Sequence, residues 1–110
     1  MEYRVLPHTG LRISRLSFGT MTFGSQTDES VALRMIDRCL DAGINFIDTA
    51  NVYNQGRAES ILGMALAGRR EKVILATKVR GKMGEGPDES GLSPAAVRKA
   101  LEASLQRLHT

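Results

Sequence analysis

Residues 44–66, INFIDTANVYNQGRAESILGMAL, contain one complete strand-helix unit and decide the fold. The run INFIDT at 44–49 has the nearly continuous hydrophobicity of a strand that is buried on both faces of a parallel sheet. After a polar segment, apolar residues recur at helical spacing as far as Leu66, and Gly68 then ends the pattern. The stretch therefore predicts a β-strand, a loop and an α-helix.

The same unit also precedes this stretch. The apolar run LSFGTM at 16–21 starts 28 residues before residue 44, and a helical pattern follows it. Asp28 is the predicted N-cap of that helix, and Gly43 lies just past its end.

A third unit follows. The run VILATK at 73–78 starts 29 residues after residue 44, and Ser93-Pro94 predicts the start of another helix. The apolar residues of this last helix share one face: Val97, Leu101, Leu105 and Leu108. Three such units favour a parallel sheet with helical crossovers, either doubly wound or closed as a (β/α)₈ barrel.

The chain is short for a barrel, which needs about 250 residues. Residues 2–15 alternate loosely around a Pro-His-Thr-Gly turn and predict a β-hairpin, and residues 16–110 hold three strand-helix units. If the sheet closes as a barrel, residues 1–110 form only a part of that domain, with three of its eight units. The outer strands of the chain would keep unpaired backbone groups, so we expect it to need self-association or the missing C-terminal half of the barrel.

Composition argues against several classes of protein. The formal charge of +3 arises from scattered basic residues with acidic neighbours, so no nucleic-acid partner is expected. Cys39 lies within a helical apolar pattern and is expected in the core, while His8 and His109 stand too far apart to predict a metal site. Neither a leader sequence nor a run of about 18 apolar residues is visible, so we predict a cytoplasmic protein without membrane insertion.

Small or polar residues end each apolar run: Gly19 and Thr20 the first, Asp48 the second and Lys78 the third. The carboxyl ends of parallel strands meet at one edge of a sheet, where ligands bind in barrels and in open α/β sheets alike. Side chains alternate along a strand, so Ile47 and Leu75 face the helices when Asp48 and Lys78 point inward. Tyr53 follows five residues after Asp48, close enough to fold back over the strand end.

An Asp, a Tyr and a Lys at one strand edge can perform acid-base chemistry. A tyrosine, with a reference pKa of about 10, donates protons poorly at neutral pH, and a nearby ammonium stabilises its phenolate by roughly 4 kcal/mol at about 4 Å. Asp48 would keep Lys78 charged and oriented. Singly, each residue has a commoner role, as a helix cap, a surface aromatic or a solvated lysine, but their coincidence on one edge makes a functional site a serious alternative.

The segments LSFGTMTFG, DAGINFIDTANVYNQGRAESILGMAL and KVILATKV resemble the N-terminal part of NADP(H)-dependent aldo-keto reductases of the bacterial type, which is similar also to potassium-channel β subunits. The resemblance covers residues 3–108. It implies a (β/α)₈ TIM barrel whose hairpin closes the bottom, and hydride transfer from NADPH to an aldehyde or ketone. A cofactor-binding regulatory subunit without significant turnover is the alternative.

The resemblance also implies roles for individual residues. Tyr53 would protonate the carbonyl oxygen, with Lys78 and Asp48 tuning it. Beside the cofactor NADP(H) would lie four residues: Gly19, Thr20, Met21 and, on the ribose, Asp48. The family's catalytic histidine follows its fourth strand, and its adenosine-phosphate contacts come near its C-terminus. Neither lies within these 110 residues, so the chain alone is expected to be inactive.

Overall fold

The computed structural model describes all of residues 1–110. Two short strands are followed by three strand-helix units. The strands are β1 (Tyr3–Val5), β2 (Arg12–Ser14), β3 (Ser17–Gly19), β4 (Phe46–Asp48) and β5 (Ile74–Ala76). The helices are α1 (Glu29–Asp41), α2 (Arg57–Ala65) and α3 (Pro94–Leu108), and a 3₁₀ turn at Arg70–Lys72 leads into β5. None of the three α-helices is long and apolar enough to cross a membrane.

The sheet topology confirms the predicted fold class. β1 and β2 form an antiparallel hairpin, and β3, β4 and β5 form a parallel sheet in chain order. Gly19, Asp48 and Ala76 lie in one row across this sheet. The strands are shorter than the apolar runs, but hydrogen bonding continues past the end of β4, because the Thr49 N–H donates to the Ala76 carbonyl at 2.8 Å.

Helices α1 and α3 begin where their capping residues predict. The Asp28 side chain accepts a hydrogen bond from the Val31 N–H, and Ser93 does the same for the Ala96 N–H. The Val31 bond, aided by the Ser30 hydroxyl, holds the pKa of Asp28 below its usual value. These starts depend on side chains within three residues and can therefore be read from sequence.

The core lies between the sheet and its helices. Ile47, in the central strand, is fully buried, and Phe18 and Leu75 beside it pack against the same cluster. This confirms the predicted alternation, in which these positions face the helices. The buried cluster consists of Phe23, Ala32, Ile36, Ile47, Ala58, Ile61, Leu62, Ala65, Leu66, Val73 and Leu108.

Helix α3 packs closely on α2 at Gly63. A Cβ at this position would lie 2.5 Å from the Arg107 carbonyl oxygen, so only glycine permits this approach. Leu108 is buried at this contact, whereas the other apolar residues of its predicted face are exposed: Val97, Leu101 and Leu105.

The hairpin sits at the N-terminal end of the parallel sheet. The Tyr3 hydroxyl donates to the Gly43 carbonyl at 2.8 Å, next to the start of β4. The Ser14 N–H donates to Asn45 Oδ1 at 2.8 Å, and the Asn45 N–H donates to Ser14 Oγ at 3.1 Å. These contacts place the hairpin opposite the strand ends that carry Asp48.

The other face of the sheet is open. The chain exposes 6764 Å², whereas a compact monomer of 12.0 kDa exposes about 6,000 Å². Its extents of 43 × 37 × 22 Å describe a slab rather than a sphere. The structure is an incomplete barrel with three of the eight strand-helix units of that fold.

Candidate active site

A tight turn after β4 brings Tyr53 back over the strand end. Asn54, Gln55 and Gly56 all have left-handed backbone conformations, with φ values of 51°, 54° and 88°. Non-glycine residues adopt this region rarely, so two in succession indicate a constrained turn. Asn54 anchors it, since its Nδ2 donates to the Phe23 carbonyl at 2.6 Å, in the loop after β3.

The Lys78 ammonium is the centre of the site. Its Nζ donates to Asp48 Oδ1 at 2.6 Å, to the Thr49 carbonyl at 2.6 Å and to the Tyr53 hydroxyl at 3.4 Å. It also lies 5.0 Å from the centroid of the Tyr53 ring. The structure thus brings together the three side chains that the sequence selects at the strand ends.

The pKa of Lys78 lies above its usual value of 10.5. Partial burial by itself lowers this pKa, but the hydrogen bonds and charges of Asp48 and Tyr53 outweigh burial. The Lys78 side chain is 48% exposed and that of Asp48 is 37% exposed, so the ion pair remains partly screened by solvent. Lys78 is therefore a cation at neutral pH. Two of its three N–H groups donate short hydrogen bonds, to Asp48 and to the Thr49 carbonyl.

The three further residues assigned to cofactor contact lie beside Asp48 at the end of β3. Gly19 pairs with Asp48 in the sheet, and a Cβ at Gly19 would meet no heavy atom within 4 Å. Met21 is exposed. Thr20 is fully buried, and both its N–H and its hydroxyl donate to the Asp48 carbonyl, at 3.1 and 3.2 Å. Its side chain supports the end of β4, and its contact with a cofactor stays a prediction.

Two groups of the site were not predicted from the sequence. One is the Thr49 carbonyl, a backbone group whose role does not depend on the type of residue. The other is Glu59, which is fully buried and accepts hydrogen bonds from Thr77 and Arg107. The spacing of Glu59 with Leu62 and Leu66, at i, i+3 and i+7, is the signal that places it on the buried face of α2.

The long loop 79–92 is folded on itself and tied to α3. The Gly91 N–H donates to the Arg80 carbonyl at 2.9 Å, which closes the ends of the loop. Glu89 forms an ion pair with Lys99 of α3. The loop and α3, together with Asn51, line a cavity of about 170 Å³.

The remaining reactive side chains do not form a second site. Cys39 is buried, and desolvation raises the pKa of its thiol, as expected for a core cysteine. No group of three or more His, Cys, Asp or Glu side chains approaches closely enough to hold a metal ion.

Three parallel strand-helix units, with an aspartate, a tyrosine and a lysine meeting at the strand ends, define the first part of a (β/α)₈-barrel protein with a polar site on its ligand-binding face. Comparison with known proteins supplies the family. Residues 15–110 match the aldo/keto reductase family, and the chain belongs to it.

Its relatives include enzymes and channel subunits. The chain is 52% identical to an uncharacterized oxidoreductase, YrpG, of Bacillus subtilis, in an alignment that covers all of this chain and 37% of the relative. It is 45% identical to a probable voltage-gated potassium channel subunit β of Oryza sativa, over 98% of this chain and 34% of the relative.

A solved structure gives the same assignment. The aldo-keto reductase AKR11C1 from Bacillus halodurans, in its holo form, superposes with a TM-score of 0.86 at 44% identity, over 100% of this chain and 37% of that one. The chain thus spans little more than a third of the length of the relatives it matches.

Proposed function

We propose that this chain is the N-terminal part of an NADP(H)-dependent aldo-keto reductase that reduces an aldehyde or ketone, and that the 110 residues alone are inactive. The observation that carries the proposal is the Lys78 ammonium, bound to Asp48 and within 3.4 Å of the Tyr53 hydroxyl at the open strand ends. Such a pairing of a phenol and a cation is suited to proton donation to a carbonyl oxygen.

In the proposed reaction NADPH, when bound, supplies the hydride. Tyr53 donates its hydroxyl proton to the carbonyl oxygen of the substrate, and the Lys78 charge stabilises the phenolate that remains. Asp48 keeps Lys78 protonated and fixes its position. The open space at Gly19 and the partly exposed Asp48 carboxylate would suit one edge of a nicotinamide ribose.

NADPH oxidation with a panel of aldehydes and ketones tests this proposal on the complete protein. We expect turnover with at least one carbonyl class, and a loss of about 10²–10⁴-fold in kcat for Tyr53→Phe. Tyr53→Phe keeps the ring over Lys78 and removes only the hydroxyl. Unchanged turnover in this variant would remove Tyr53 from the role of acid.

A second candidate function is a cofactor-binding regulatory subunit with little turnover. The similarity to the Oryza sativa channel subunit, at 45% identity, favours it. A stable complex with a membrane protein, together with negligible turnover on every carbonyl tested, would support this candidate over the reductase. A cytoplasmic location and the lack of a nucleic-acid partner stay predictions in both cases.

We also propose that the remaining strand-helix units of the protein cover the open side of this chain. Helix α3 carries an exposed stripe formed by Val97, Leu101 and Leu105, and Val97 and Leu101 lie near residues 77–79, just past the end of β5, an outer strand of the sheet. Burial of three such side chains contributes several kcal/mol. Self-association of the 110-residue chain is the alternative way to cover the same surface.

The variant Leu101→Asp separates these arrangements. In the complete protein it should lower the free energy of unfolding by about 3 kcal/mol, because an unpaired carboxylate replaces a buried leucine. In the 110-residue chain the same change should reduce self-association, measured by sedimentation velocity. A monomeric chain with a cooperative melting transition would contradict the need for a covering partner.

A further inference from the structure

Glu59 is a buried carboxylate that the proposed proton transfer does not use. Its side chain is fully buried near the start of α2. Glu59 Oε1 accepts a hydrogen bond from Thr77 Oγ1 at 2.6 Å, and Glu59 Oε2 accepts one from Arg107 Nε at 2.6 Å. One carboxylate therefore joins α2 to the residue before Lys78 and to the last turn of α3.

The surrounding backbone is shaped to admit Arg107. A Cβ at Gly56 would lie 2.8 Å from Arg107 Cδ, and a Cβ at Gly63 would lie 2.5 Å from the Arg107 carbonyl oxygen. A side chain at either glycine would displace the arginine from Glu59. The ion pair thus depends on two close approaches along α2, which indicates a built arrangement rather than a chance contact.

Net stability alone is a weak explanation for an ion pair at this place. Its neighbours Ile61 and Leu62 are buried apolar residues, so the location would accommodate an apolar side chain. Buried ion pairs are often no more stabilising than hydrophobic residues of the same volume, because desolvation offsets the attraction. What the carboxylate supplies that a leucine cannot is directional hydrogen bonding to Thr77 and Arg107.

Thr77 transmits this constraint to Lys78. Successive side chains along a strand point to opposite faces, so Thr77 reaches back to α2 while Lys78 points to the strand-end site. Regular pairing of β5 ends at Ala76, and beyond it the Lys78 carbonyl accepts one hydrogen bond from the Asn51 N–H, at 3.2 Å. The hydrogen bond from Thr77 to Glu59 fixes residues 77 and 78 to α2, on the helix side of the sheet.

We propose that Glu59, acting through Thr77, is a positioning residue for Lys78. It touches neither substrate nor cofactor. It fixes the backbone from which the half-exposed Lys78 side chain reaches Asp48 and Tyr53. The effect on turnover rests on the proposed reductase function, whereas the placement of Lys78 can be measured without it.

The test uses Thr77→Val and Thr77→Ser in the complete protein. Valine has the shape of threonine without the hydroxyl, and it leaves the Glu59–Arg107 pair intact. We expect Thr77→Val to lower kcat about tenfold and to change KM by less than about twofold. We also expect the basic limb of the pH–kcat profile to move to higher pH. Thr77→Ser, which restores the hydroxyl, should return both quantities toward the wild type.

Ile61→Val is the matched control, because it weakens the same core on α2 without touching Thr77. It should lower Tm while leaving kcat and the pH profile unchanged. The NMR signal of the Lys78 ammonium provides a readout that needs no turnover, and we expect Thr77→Val to shift it and Ile61→Val to leave it in place. If Thr77→Val lowers Tm but preserves kcat, the pH profile and the Lys78 signal, Glu59 is structural only. If the wild type reduces no carbonyl, the reductase proposal fails, and the Lys78 signal alone decides the positioning role.

Discussion

The two ends of the parallel sheet are both lined by polar side chains, but they use them differently. At the N-terminal end, Asn45 and Ser14 exchange hydrogen bonds between neutral groups, and Tyr3 caps a backbone carbonyl. At the C-terminal end, Asp48 and Lys78 form a half-exposed ion pair. The sheet thus has neutral groups hydrogen-bonded to one another at its N-terminal end, and charged groups that remain partly exposed to solvent at its C-terminal end.

The N-terminal end of the sheet therefore contributes to stability, whereas the C-terminal end, only a few residues away along each strand, carries the groups suited to chemistry. Neutral hydrogen bonds to backbone groups fix the hairpin and leave no group poised to react. The charged end keeps one N–H of Lys78 on a long 3.4 Å contact with Tyr53, so a proton and a charge remain available. Barrel folds in general place reactivity at the C-terminal ends of their strands and stability at the opposite ends.

The largest expected effect is that of Lys78→Met, which keeps the stem of the side chain and removes the charge. We expect kcat with a carbonyl substrate to fall about 10²–10⁴-fold, because the phenolate of Tyr53 loses its cation. Lys82→Met is the control, since Lys82 pairs with Glu85 in an exposed part of the loop. Equal losses in both variants would show that the strand-end position is not special.

Asp48→Asn should have the next largest effect. The amide keeps the volume and an acceptor oxygen but loses the negative charge. Partial burial lowers the pKa of Lys78, and without the charge of Asp48 to offset that effect the pKa falls. We expect turnover at neutral pH to drop about tenfold, and NMR titration of Lys78 reports the pKa directly. A pKa that stays above its usual value would contradict the role given to Asp48.

The pH dependence of stability has a definite sign. The folded-state pKa of Lys78 is raised above 10.5, so the stability it contributes is fully present below 10.5 and is lost as the pH rises through the higher folded value. Any advantage of the wild type over Asp48→Asn that arises from the Lys78 charge should therefore shrink in urea unfolding above pH 10.5.

Asn45→Ala probes the opposite end. It removes the acceptor for the Ser14 N–H and the donor to the Arg12 carbonyl, at 2.8 and 2.9 Å. We expect the free energy of unfolding to fall by about 2 kcal/mol, while kcat changes less than about twofold. A large change in kcat would mean that the two ends are coupled.

Tyr3→Phe should have the smallest effect. It removes one hydrogen bond, to the Gly43 carbonyl, and should lower the free energy of unfolding by about 1 kcal/mol in urea titration. The ring remains in place for the contact with Arg12. Turnover is expected to stay at the wild-type value.

Much of the fold could be predicted because its signals are local. The caps Asp28 and Ser93 act within three residues, and the alternation around Ile47 follows from strand geometry. The strands are shorter than the apolar runs that contain them: Leu16 and Met21 lie outside β3 and are exposed. The apolar pattern reports burial, whereas the ends of a strand depend on hydrogen bonds with neighbouring strands.

The site divides in the same way. Asp48 and Lys78 could be selected because each ends an apolar run, and parallel topology brings such ends together. The spacing of Glu59 with Leu62 and Leu66 marks the buried face of α2, but a lone glutamate in a helix is normally solvated, and the arginine that pairs with it, Arg107, lies 48 residues away. The Thr49 carbonyl has no signature in the sequence at all.

The sequence by itself determined the order of strands and helices, the inward side of each strand and the family, because these depend on periodicity, caps and contiguous motifs. Only the tertiary structure decided which atoms of Lys78 meet which acceptors, and that Thr77, Glu59 and Arg107 form one network behind it. Those contacts join residues 18 to 48 positions apart, and their distances are set by the packing of α2 and α3 on the sheet, which no local pattern encodes.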